Sequence, residues 1–389
     1  MCSANPPKTS VEQLRWLEDG QSFEARWLSH AGAPPATRVV VADGKMSADE
    51  AYGLACQGTA LLWRGDFQEA RQMLVALGRR ADRSQRRSRA APAVVNRPEA
   101  FHLYRQAKSQ RARTLNALLV PLNDDYSIPL RRAPDIRQAC VEAWGPAASA
   151  SVTSLRALLG VLGAHEWRMA GIEIPEAGGR IHPHFGVFAP IRREYVDLVA
   201  TTSLPAACVT TSLAFDIGTG TGVLAAVLAR RGIQRVIATD LDPRALDCAR
   251  DNVRRLGLAL RVDVQQADLF PEGRAALVIC NPPWIPARPS SPLEQAIYDP
   301  DSRMLRGFLA RLPAHLEPGG EGWLILSDLA EHLGLRTRER LLEEFTAAGL
   351  QVLGRHDVTP RHPRSADETD PLHAARAAEI TSLWRLGPA

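Results

Sequence analysis

Lysine is nearly absent from this 389-residue chain: Lys8, Lys45 and Lys108 are its only examples, so the other 44 of its 47 basic residues are arginines. So lopsided a choice reflects genomic coding bias as readily as phosphate recognition, and an arginine run here does not by itself establish a nucleic-acid partner. The six cysteines show no CxxC spacing and no pairing pattern, which argues against a disulfide frame and a zinc site and for reduced thiols in the cytoplasm. No apolar run reaches the ~18 residues of a membrane span. The first residues, MCSANPPKTS, lack the basic-then-apolar plan of a signal peptide, so the expectation is a cytoplasmic protein with no membrane partner and no metal.

What is present is ordinary globular material, 45% hydrophobic with a formal charge of +4, in a chain long enough for two domains. Helical apolar spacing from Ser47, a second run from Asp66 to Arg80 and others over 98–119, 134–144 and 152–162 predict a mostly helical, substrate-recognising domain over 1–165. Leu61 to Arg113 holds thirteen Lys/Arg against four Asp/Glu. Within it Arg79 to Arg89 reads either as a solvated, mobile linker or as an electrostatic footprint for RNA or the ribosome, without the aromatic residues that stack on bases. Two strand-like runs around PEAGG predict a β-hairpin linker over 166–190, leaving 191–389 as the second domain.

From Leu213 strand and helix alternate, which implies an α/β fold with a parallel, doubly wound sheet. Strands are expected at 213–217, 235–240, 261–266, 276–280 and 322–327. Two more, at 350–358 and 378–386, follow without a helix between them and so should pair antiparallel.

Four sites fall at the carboxyl ends of successive strands, where open α/β sheets bind ligands. The first is LAFDIGTGTG, in which Asp216 precedes Gly218, Gly220 and Gly222 and a helix begins at once. The second is Asp240, eighteen residues after Gly222 and suited to accepting from both hydroxyls of a ribose. Asp268 and Leu269 come third, a carboxylate for an adenine amino group and an apolar residue for its face. The fourth is Asn281-Pro282-Pro283-Trp284. A dinucleotide fingerprint is the rival reading, but started at Gly218 it meets Val223 where glycine or alanine is required, and Asp216 puts a carboxylate where a pyrophosphate wants none. A carboxylate there suits a cation.

In this order the motifs resemble those of class I methyltransferases that use S-adenosylmethionine (SAM), over roughly 181–386. The resemblance implies a Rossmann-like seven-stranded sheet, with Asp216, Gly218, Gly220, Gly222, Asp240, Asp268 and Leu269 binding SAM. NPPW resembles the [N/D]PP[Y/F/W] signature of enzymes that methylate a planar nitrogen. It implies that Asn281, Pro282, Pro283 and Trp284 are catalytic, with the Asn281 oxygen and Pro282 carbonyl accepting from the target N–H groups and Trp284 stacking on its plane. The hairpin and the wording FAPIRREYVDLV are similar to the HemK-type branch of the small methyltransferase superfamily, which acts on release-factor glutamine. Ribosomal RNA guanine-N2 methyltransferases share the NPP-aromatic motif. The expected partner is therefore a release-factor-like protein or RNA, with the ribosome as a further candidate, and the alternative is a methyltransferase-like RNA- or ribosome-binding module without catalysis.

Overall fold

The computed structural model describes residues 12–29, 32–88, 96–289, 292–361, 367–368 and 370–389. They divide into two units, one within 1–94 and 103–165, the other within 95–102 and 166–389.

The first unit is built on a sheet, which corrects the expectation of a mostly helical domain. Its strands are β1 (Gln13–Glu18), β2 (Gln21–Leu28), β3 (Val39–Ala42), β4 (Ala60–Trp63), β5 (Leu118–Leu122) and β6 (Ser151–Ser154), and its helices α1 (Ala48–Cys56), α2 (Phe67–Ser88), α3 (Arg97–Asn116), α4 (Arg137–Trp144) and α5 (Leu155–Ala170). The six strands lie in the order β1-β2-β6-β5-β4-β3. Strands β3, β4 and β5 run parallel, whereas β5 and β6 run antiparallel. β4 and β5 are buried at every position. A strand buried on both faces carries a continuous apolar run rather than an alternating one, and four or five such residues blend into the helical spacing beside them. Leu61 and Leu62 therefore read as helix from sequence, yet Leu61 packs with Trp63, Leu118 and Val120 on one face while Leu62 joins Leu14, Leu119 and Val152 on the other. The stretch from Arg79 is also not a linker, since α2 continues to Ser88; Arg89 lies outside the described residues.

The hairpin is shorter than the sequence implied. It comprises β7 (Ile172–Ile174) and β8 (Gly179–Ile181) about a single 3-10 turn at Pro175–Ala177, because α5 carries on to Ala170.

The second unit then adds α6 (Glu194–Thr201), α7 (Ala207–Thr210), β9 (Leu213–Ile217), α8 (Val223–Arg230), β10 (Arg235–Asp240), α9 (Pro243–Arg255), β11 (Val262–Gln266) and β12 (Ala275–Cys280). α10 (Arg303–His315), β13 (Leu316–Ser327), α11 (Leu329–His332), α12 (Arg338–Ala347), β14 (Leu350–Val358), α13 (His373–Ala377) and β15 (Thr381–Pro388) complete it. The seven strands lie in the order β11-β10-β9-β12-β13-β15-β14. All pairs from β11 to β13 are parallel; β15 runs antiparallel to both β13 and β14. This is the seven-stranded sheet that the resemblance implied. The short helix α13 precedes β15, where the sequence suggested no helix, and the antiparallel β14–β15 pair lies at the sheet edge.

Strand residues alternate between two cores. Ala214, Val236, Leu277, Ile279, Trp323 and Ile325 face α6 and α8, whereas Phe215, Ile237, Val278, Cys280, Leu324 and Leu326 face α10 and α12. With both faces covered, each strand reads as a nearly unbroken apolar run. β9 sits between β10 and β12, so the connections leaving it diverge and open a crevice at its carboxyl end. Among the described residues no helix is long and apolar enough to cross a membrane.

Candidate active site

The crevice is a cleft of about 550 Å³, within the size range of small-molecule sites. Its walls include Gly218, Thr219, Gly220, Asp240, Asp242, Asn281, Pro282, Pro283 and Trp284. Three of the four sequence motifs thus converge. The glycines make the turn possible: Gly218, Gly220 and Gly222 all have left-handed φ, at +71°, +55° and +80°. A side chain on Gly222 would also lie 3.2 Å from the Cα of Ala249 in α9, so the absent Cβ lets α9 close on the turn.

Asp216 is not a wall of the cleft. It is 1% exposed, and its Oδ2 accepts from Thr219 Oγ1 at 2.6 Å and from the Ala225 amide at 3.1 Å. It ties the turn to the first turn of α8, and burial pushes its carboxyl up to about 6. Asp240 does face the cleft. Its Oδ2 accepts from the Gly220 amide and its Oδ1 from the Asp242 amide, both at 3.0 Å. Burial raises its pKa, against the pull of these two N–H groups.

Asp268 and Leu269 do not belong to the lining. Asp268 is exposed, and its carbonyl accepts from Arg311 Nη1 at 2.7 Å. Leu269, at φ +69°, turns its side chain into the core beside α10. A DLF triplet after a strand looks the same in sequence whether its side chains face ligand or core.

The NPPW segment follows β12. Trp284 Nε1 donates to Asn281 Oδ1 at 2.9 Å, and the Arg192 guanidinium carbon lies 4.8 Å from the centre of the indole. Arg192, Met304, Leu329, Pro360, Arg376 and Glu379 also line this part of the cleft. Sequence reasoning missed most of these. Met304 and Leu329 look like helix-core positions, and Arg376 and Glu379 lie in a polar stretch beyond β14. Only Arg192 carried a signal, through the wording around Pro190. The segment 298–303 buries Asp299, which accepts from the Met304 and Leu305 amides at the start of α10. Much of the polar stretch 361–373, residues 362–366 and 369, lies outside the described residues. His184 meets Asp251 at 3.3 Å, and no group of three metal-ligating side chains occurs among the described residues.

These residues fit SAM. The glycine turn brings backbone to the cleft without side chains, and Asp240 and Asp242 give the lining carboxylates able to accept from ribose hydroxyls. SAM, when bound, would supply an electrophilic methyl group.

Residues 179–349 match the Methyltransferase small domain family. The chain is 40% identical over 146 residues to a release factor glutamine methyltransferase of Cereibacter sphaeroides, covering 36% of this chain and 49% of that one. A protein of the same name from Mycolicibacterium smegmatis is 36% identical over 169 residues, covering 40% and 57%. A ribosomal protein L11 methyltransferase of Pelotomaculum thermopropionicum is 49% identical over only 69 residues, covering 17% and 22%. The chain thus spans about half the length, or less, of these relatives. Over residues 179–349, therefore, the chain is similar to the methyltransferase small domain.

Proposed function

We propose that this chain is a SAM-dependent N-methyltransferase whose acceptor is the side-chain amide of a protein glutamine, on a release-factor-like partner that works with the ribosome. The observation that carries the reading is the Asn281–Trp284 hydrogen bond inside a cleft that also holds Asp240. An amide oxygen has two lone pairs, and Trp284 Nε1 occupies one. The other, with the Pro282 carbonyl, accepts the two N–H hydrogens of a planar amide. That pair of bonds draws the nitrogen lone pair out of conjugation and aims it along the methyl axis, with the indole against the amide plane. No strong base is needed before attack. In this reading Asp240 holds the ribose, Asp216 organises the turn, and the sheet unit of the first half recognises the partner. The names of the relatives favour a protein acceptor over a base amine.

The test is methyl transfer from tritiated SAM to purified release factor, ribosomal protein L11 and ribosomal RNA in parallel. Label in a glutamine of the release factor supports the reading; label in RNA alone replaces it with the base-amine reading. SAM binding by calorimetry without transfer to any acceptor favours a non-catalytic module.

A further inference from the structure

Arg192 is unusually constrained for a residue on a loop. Its Nε donates to Glu194 at 2.6 Å, its Nη1 to Glu379 at 2.9 Å and its Nη2 to Thr381 Oγ1 at 3.3 Å. Glu194 and Glu379 are buried, and Glu379 also accepts from Ser327 Oγ at 2.6 Å. Glu194 begins α6, Thr381 begins β15 and Glu379, just before β15, is itself held by Ser327 at the end of β13, so the edge of the guanidinium is fixed from two sides. A planar cation with its edge fixed presents a fixed face. That face covers the Trp284 ring, 4.8 Å from its centre, and the far end of the same ring donates to Asn281.

We infer that Arg192 is the positioning residue of the acceptor site. It occupies one face of the Trp284 indole, sets the plane of the ring and, through Nε1, the orientation of the Asn281 amide. The planar acceptor then stacks on the face that Arg192 leaves open. This rests on the proposed role of NPPW, but the Arg192–Trp284 coupling can be read without any acceptor. The plainer role, neutralising two buried carboxylates, makes a different prediction: it gives Arg192 no effect specific to Trp284.

The test uses the full chain with 15N-labelled indoles, the Trp284 resonance being identified by its loss in Trp284→Phe. Arg192→Met should shift that resonance, leave the Kd for SAM within about twofold, and lower kcat for release-factor methylation by roughly tenfold to a hundredfold, as expected when a reacting group is misplaced by a fraction of an ångström. Arg192→Lys, which keeps the charge but has no planar face held by its edge, should restore folding and little of either readout, whereas the plainer role predicts that it restores both. In a Trp284→Phe background, whose ring cannot donate to Asn281, Arg192→Met should cost less than half as much on a logarithmic scale. An unmoved resonance, or an equal loss in both backgrounds, overturns the inference. If Arg192→Met is poorly folded because Glu194 and Glu379 lose their cation, the Arg192→Met, Glu194→Gln, Glu379→Gln triple variant carries the same resonance test. Absence of methyl transfer by the unmodified protein would refute the acceptor reading while leaving the resonance result standing.

Discussion

The indole N–H of Trp284 and the side-chain oxygen of Asn281, three residues apart, form a 2.9 Å hydrogen bond inside the cleft. The bond selects one of the two orientations open to an Asn amide, the one with its oxygen on the Trp284 side. Asn281→Ala removes the acceptor and should leave SAM affinity within about twofold while lowering methyl transfer at least a hundredfold. Trp284→Phe keeps an aromatic face, though a smaller one, and loses the donor, so at least about fivefold to tenfold in kcat is expected, the worth of one neutral hydrogen bond. Calorimetry and single-turnover transfer separate binding from chemistry. Unchanged transfer in Asn281→Ala would remove NPPW from the mechanism.

Asp240 faces the cleft, and two backbone amides orient it. Asp240→Asn keeps the shape and one acceptor oxygen but loses the charge. Hydrogen bonds to a charged group are worth about 1.5–3 kcal/mol, so SAM affinity should fall roughly tenfold to a hundredfold. Asp268→Asn, at an exposed position outside the lining, should change it by less than about threefold. The two dissociation constants, measured by titration, check the placement directly.

Gly220 and Gly222 both hold left-handed φ, yet their surroundings differ. A Cβ on Gly220 has no neighbour within 4 Å, whereas one on Gly222 sits 3.2 Å from the Ala249 backbone. Each substitution to Ala incurs about 1–2 kcal/mol of conformational strain. Gly222→Ala should lose a further ~1 kcal/mol or more as α9 is pushed away. Urea melts should therefore rank Gly222→Ala below Gly220→Ala.

Asp216 makes stability depend on pH in the direction opposite to that of a salt-bridged carboxylate. Its pKa is about 6 in the folded chain against 3.8 for the free side chain, because burial disfavours the anion. The folded state therefore holds the proton more tightly. The associated stability is fully present below about pH 4, and it is lost as pH rises through about 6. A shift of this size corresponds to roughly 2–3 kcal/mol as an upper bound. Asp216→Asn keeps an oxygen for Thr219 and Ala225 without the titration. The melting temperature of the unmodified protein minus that of Asp216→Asn should fall between pH 4.5 and 7, and a flat difference would contradict the assignment.

The second unit was legible in the sequence because its strands and helices alternate strictly and end in motifs whose chemistry is tied to position. Asp216, Asp240 and Asn281 could all be found at strand ends. Which of them faces a ligand could not, since a carboxylate reads the same whether it points into the cleft, as Asp240 does, or beneath the turn, as Asp216 does. The first unit was misread where β4 and β5 are too short to show a period distinct from the helices beside them.

By itself the sequence determined the parallel sheet, the glycine turn and the order of the motifs, because backbone preference and apolar period act over a few neighbouring residues. Only the tertiary structure decided what surrounds Trp284. Arg192, Glu379 and Thr381 stand up to 189 positions apart in the chain and meet because β15 pairs antiparallel with β13. That pairing buries two carboxylates and one guanidinium together, an arrangement no local pattern encodes.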